Sequence, residues 1–88
     1  MAECRITRIA RADLLAIGRY ARRQWGARQR AVYLGDLFAA FERLAATPDL
    51  GRPCDEIRPD MRFYRCGRHV VFFRLHDDRV EVLRVLHE

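Results

Sequence analysis

The period of the apolar positions changes along the chain, and each change marks an element. Glu3 to Thr7 alternates, with Cys4 and Ile6 on one side, as in a short strand. Thr7 is then placed as a helix N-cap, where its hydroxyl can accept an orphan backbone N–H. Downstream, Ala10, Leu14, Ile17 and Ala21 recur at helical spacing, with Tyr20 and Trp25 flanking them. Gly26 suits the stop of this helix. A second helical stripe follows through Ala27, Ala31, Leu34, Phe38, Phe41 and Ala45, widened by Leu37 and Leu44. The link between the two is so short that they predict an antiparallel hairpin. Thr47-Pro48 ends the second helix, because the residue before proline avoids the helical region.

Residues 47–60 hold all three prolines, Pro48, Pro53 and Pro59, together with Gly51, and predict an irregular crossover. Three strands are expected after it: Met61 to Cys66, His69 to Leu75 and Arg79 to His87. Gly67 and Asp77-Asp78 supply the turns, and turns this short make neighbouring strands antiparallel. Val80 to Leu86 is apolar on both faces, so that strand belongs inside the sheet. The expected fold is α+β in the order β-α-α-β-β-β. An N-terminal strand leads into an antiparallel helical hairpin, packed on a three- to four-stranded antiparallel sheet. Arg62, Arg65, Arg74 and Arg84 are candidates for the sheet's other face.

With 88 residues, the chain is expected to form one domain over 1–88 with one core. Half the residues are hydrophobic and a third charged, which excludes a disordered chain. No apolar run is long enough to predict a membrane span, and the charged N-terminal stretch does not read as a signal peptide. All 17 basic residues are arginine against 12 acidic ones, leaving a net charge of +5. Arginine presents a planar fork to carboxylates and phosphates, so acidic proteins or nucleic acid are the natural partners; a merely solvated basic exterior is the competing reading. Cys4, Cys54 and Cys66 are odd in number with no C-x-x-C, and His69, His76 and His87 form no ligand cluster with them. No metal site, disulfide framework or cofactor is expected, and a reducing cytoplasm is the default compartment.

No phosphate-binding glycine loop, nucleophile elbow or zinc motif is present in the sequence. Asp55-Glu56 reads as a capping or ion-pairing couple, and His69 and His76 as surface or edge residues. Trp25 suits hairpin packing or a partner anchor. One constellation could carry chemistry. Arg62, Arg65 and Arg84 could hold a phosphate while His87 moves a proton, giving metal-free RNA cleavage. Strand parity opposes it, since Arg84 and His87 point to opposite faces of a regular strand. Phe63, Tyr64, Phe72 and Phe73, interleaved with arginines, could instead form a base-stacking surface, with about half of them expected in the core.

An ordered set of short motifs resembles one family. It includes Trp25-Gly26, Leu50-Gly51-Arg52, Asp55-Glu56-Ile57-Arg58, His69-Val70-Val71-Phe72-Phe73-Arg74 and Arg84-Val85-Leu86-His87. Together with Ala12-Asp13-Leu14, Tyr20 and Tyr33, it is similar to the ParE toxins of the ParE/RelE superfamily, also called plasmid-stabilisation proteins. Asp60 departs from the pattern where members often have Gly, and this sequence stops at Glu88 where many relatives carry a short tail. The resemblance implies the toxin of a type II toxin–antitoxin pair. Such a toxin inhibits DNA gyrase by protein–protein binding, is neutralised by a ParD-like antitoxin, and meets DNA only through those partners. Partner contacts are then expected at Tyr20, Trp25, Arg62, Tyr64, Arg65 and Arg74. The RelE branch implies the alternative, a ribosome-dependent mRNA endoribonuclease using Arg62, Arg65, Arg84 and His87. The absence of lysine, and of tyrosine beyond Tyr64, favours the ParE branch.

Overall fold

The computed structural model describes residues 3–88. Strand β1 (Glu3–Ile6) is followed by helices α1 (Arg8–Trp25) and α2 (Ala27–Ala46), and then by a 3-10 turn at Pro48–Leu50. Four strands complete the chain: β2 (Arg52–Pro53), β3 (Met61–Cys66), β4 (His69–His76) and β5 (Arg79–His87). The sheet order is β1-β5-β4-β3-β2. The strand, hairpin and antiparallel β3-β4-β5 meander stand where the periodicity places them, and β5 is internal, between β1 and β4.

Two features go beyond the sequence pattern. The crossover is not wholly irregular, because Arg52 and Pro53 pair with Phe63 and Arg62 and add a fifth strand. A two-residue strand is too short to show a period. β1 also joins β5 in parallel, with Cys4 opposite Val80 and Ile6 opposite Val82. No short turn links these two strands, so no local rule could fix their direction.

The hairpin covers one face of the sheet. Leu14, Ile17, Leu37, Phe41 and Leu44 from the helices meet Val71, Phe73, Val80, Val82 and Val85. These positions are the apolar stripes of both helices and the inward residues of β4 and β5. Gly51 closes one side of this core. A Cβ there would stand 2.3 Å from the Phe73 ring. Gly67, at φ +59, makes the β3–β4 turn, and the Tyr33 ring packs where its side chain would be. Asp77 and Asp78 take φ values of 49 and 62, as a two-residue hairpin turn requires.

Thr7 holds α1 against the sheet. Its hydroxyl accepts from the Ala10 N–H and donates to the Leu83 carbonyl, both at 3.1 Å. Leu83 is the extra residue of a bulge, since Phe72 pairs with Arg84 while Phe73 pairs with Val82. Pairing between β1 and β5 ends at this bulge. Beyond it the edge of β5 is met by side chains of the helical layer, as described below.

Candidate partner-binding surface

Asp13, on the first half of α1, serves that open edge. Its carboxylate accepts from the Val85 backbone N–H at 2.9 Å and from Arg84 Nε and Nη2 at 2.9 and 3.1 Å. Burial alone would raise the Asp13 pKa, but the Arg84 bonds and charge and the Val85 N–H outweigh it and hold the carboxyl below the usual aspartate value. This clamp ties down the guanidinium of Arg84, while the register keeps the residue opposite Phe72 on the open face expected for it.

Arg62 is not on that face. It pairs with Phe73 and so shares the helix-covered face of the sheet, where its Nη1 binds Asp49 at 3.1 Å. Arg65 and Arg74 do stand on the other face, by their pairing with Val70 and Glu81. Arg74 binds Glu81 at 2.8 Å, and Arg65 binds Glu88 at 2.9 Å. The four residues of the nuclease constellation are therefore separated. Arg62 goes to Asp49, Arg84 to Asp13 and Arg65 to Glu88, while His87 Nδ1 faces the Glu88 carbonyl. Register also places Arg84 opposite Phe72 and His87 opposite His69, on opposite faces, as parity predicts. Of the proposed stacking aromatics, Phe73 is fully buried and Tyr64 packs against the core, leaving Phe63 and Phe72 half-buried on the open face.

His69 is the main correction among the histidines. It is buried, not a surface or edge residue. The alternation His69, Val71, Phe73 carried that signal, because the three share the inward face. The Tyr33 hydroxyl receives the Arg68 backbone N–H and shares a hydrogen bond with His69 Nδ1. Burial first, and the charge of His87 second, lower the His69 pKa and favour the neutral ring, whose tautomer sets which of the two groups donates. Burial also raises the Tyr33 hydroxyl above its ordinary value. His69 and His87 stack edge-on at 5.2 Å. From Tyr33 the ring contacts run on to Trp25 and then Tyr20, each at 6.0 Å. The chain of rings thus crosses from β5 to the end of the hairpin, where Arg68 lies 5.3 Å over Trp25. Of the expected partner contacts, Tyr20 and Trp25 meet in this ring cluster, and Tyr64 and Arg65 line common surface pockets.

Two grooves flank the hairpin. One, of about 470 Å³, lies between α1 and the end of β5 and is lined by Ile17, Tyr20, His69, Val85, Leu86 and His87. The other, of about 430 Å³, lies on the opposite flank between Ile6, Leu14, Leu15, Leu34 and Phe38, with Arg11 and Arg30 on its rim. Leu15 and Phe38 are 59% and 45% exposed there, an apolar surface with basic borders. Asp55 and Glu56 are exposed and enter no ion pair among the described residues, so the capping or ion-pairing role expected of them is not observed. Burial raises the pKa of all three cysteines, which makes them poor nucleophiles. No helix of the described residues is long and apolar enough to cross a membrane, and no group of metal-ligating residues occurs among them.

The family model described as ParE toxin of type II toxin-antitoxin system, parDE, matches residues 4–88. The chain belongs to the ParE toxin family. Toxin ParE1 of Caulobacter vibrioides is 42% identical over 84 residues, covering 96% of this chain and 86% of that protein. Toxin ParE of Escherichia coli is 38% identical over 84 residues, covering 94% and 82%. Among solved structures, a chain of the chromosomal ParDE toxin–antitoxin system from P. aeruginosa superposes with a TM-score of 0.85. It covers 99% of this chain and 96% of that one at 21% identity, a likeness of fold. A chain of the RelBE2 toxin–antitoxin complex from Mycobacterium tuberculosis gives 0.71 at 26% identity, covering 99% and 91%. In this ParE chain Arg62, Arg65 and Arg84 are each tied to a different carboxylate.

Proposed function

We propose that this ParE-family chain is a toxin that inhibits DNA gyrase in the cytoplasm by binding it, makes and breaks no covalent bond itself, and is silenced by a ParD-like antitoxin. The observation that carries the reading is the separation of Arg62, Arg65 and Arg84 by three different carboxylates. A phosphoryl-transfer site needs such groups to converge on one anion. The antitoxin partner is supported by the toxin–antitoxin pairs named for the family and for the solved relatives.

The antitoxin's contact is assigned to the Leu15/Phe38 groove. An acidic amphipathic segment would lay its apolar side chains on Ile6, Leu14, Leu15, Leu34 and Phe38 and its carboxylates toward Arg11 and Arg30. Exposed Tyr20, Trp25 and Arg65 remain contacts for a partner, and Arg62, Tyr64 and Arg74, each partly engaged within the fold, complete the candidate set. A supercoiling assay with the purified chain tests the proposal. Gyrase should be inhibited, and the product of the neighbouring antitoxin gene should restore supercoiling. Undiminished supercoiling at excess toxin would refute the gyrase target.

A further inference from the structure

Charge is segregated along this chain. Between Asp13 and Asp36 the sequence holds Arg19, Arg22, Arg23, Arg28 and Arg30 and no acidic residue. The other arginines are matched in number by the 12 acidic residues, so this stretch, four arginines toward the hairpin tip and Arg30 on the groove rim, accounts for the whole net charge of +5. Arg19, Arg22, Arg23 and Arg28 are exposed. None of the five makes an ion pair among the described residues, whereas arginines of the sheet such as Arg62, Arg65, Arg74 and Arg84 do. Arg68, also exposed, brings a further guanidinium to this end by lying over Trp25.

The tip overlaps one groove at Tyr20. Its exposed rings are Tyr20 at 45% and Trp25 at 37%. Its guanidinium groups are spread over the ends of two neighbouring helices. Arg19 and Arg23 follow each other at one turn, about 6 Å along α1, and Arg28 stands on the adjoining α2. A peptide carboxylate segment needs a continuous apolar seat between its charges, and the groove of Leu14, Leu15, Leu34 and Phe38 supplies one further down the hairpin. A row of phosphates needs only a row of forks, with aromatic rings for any unstacked base.

We infer that the hairpin tip, through Arg19, Arg22, Arg23 and Arg28 with Trp25 beside them, binds the sugar–phosphate backbone of a nucleic acid directly. This departs from the expectation that DNA is met only through a protein partner, and it does not depend on which enzyme the toxin acts on. Binding of this kind is sequence-independent, in the micromolar range or weaker at physiological salt, and steeply salt-dependent.

Fluorescence anisotropy of the full chain with labelled 20-bp duplexes of DNA and of RNA, over a range of salt, tests it without gyrase or antitoxin. One triple variant, Arg19→Gln, Arg23→Gln and Arg28→Gln, neutralises the tip. A second, Arg5→Gln, Arg52→Gln and Arg58→Gln, removes the same charge from exposed positions elsewhere. The tip variant should bind at least tenfold more weakly, with its log–log salt slope flatter by about 2 to 3. The second should bind close to wild type, and the duplex bound more tightly identifies the natural source of the backbone. Circular dichroism confirms that both variants fold. Equal weakening by the two variants would overturn the inference, as would a wild-type chain that binds neither duplex; capture at the tip by poly-glutamate in that case would assign the surface to an acidic protein instead.

Discussion

Asp13 does at the residue scale what a strand would otherwise do. One carboxylate caps the open Val85 N–H and holds both forks of Arg84. Because its folded pKa is lowered, this stabilisation is complete above the ordinary aspartate range and fades as pH falls through the folded value. Asp13→Asn should therefore cost about 1–3 kcal/mol at pH 7. In urea denaturation, its deficit against wild type should shrink as the pH drops toward 3; a deficit independent of pH would contradict the ion-pair account. Gly51 works by absence. Its missing Cβ leaves room for the fully buried Phe73 ring, so Gly51→Ala should destabilise by about 1–3 kcal/mol through overpacking. Neither role was legible in the sequence, because each depends on a residue that is distant along the chain and brought near only by the fold.

At the scale of elements, most of the structure was legible. The stripes of α1 and α2 and the alternation of β3, β4 and β5 follow from hydrophobic period, and Gly26, Gly67 and Asp77-Asp78 mark real breaks. Thr7 also acts as expected, as an N-cap. Only the structure adds its second bond, to the bulge of β5. Thr7→Ala should lose both bonds and about 1–2 kcal/mol, while Thr7→Ser should retain most of the stability in thermal melts. The elements that period could not reveal are those fixed by pairing over long separation: the parallel seat of β1 and the two-residue β2. The bulge at Leu83 was hidden for the same reason, although it leaves the edge that Asp13 must cap.

At the scale of the whole molecule, the hairpin and sheet leave two grooves and a basic tip. Leu15→Glu with Phe38→Glu places like-charged carboxylates where an acidic antitoxin segment would dock. In a pull-down, antitoxin binding should fall at least tenfold, while gyrase inhibition by the variant persists. The grooves were only partly legible. Helical period told which residues face inward, but Leu15 and Phe38 flank the buried stripes and gain meaning only when α1, α2 and β1 come together. The arginine constellation was legible as composition and misleading as geometry, because sequence shows the guanidinium groups without the carboxylates that hold them. The central claim is that this toxin acts through its surface and not through a reactive centre. Induction of wild type and His87→Ala in cells, with primer extension on transcripts and a count of DNA breaks, tests it most directly. Both proteins are expected to arrest growth with intact transcripts and accumulating DNA breaks; transcripts cut within codons by wild type and left whole by His87→Ala would contradict it.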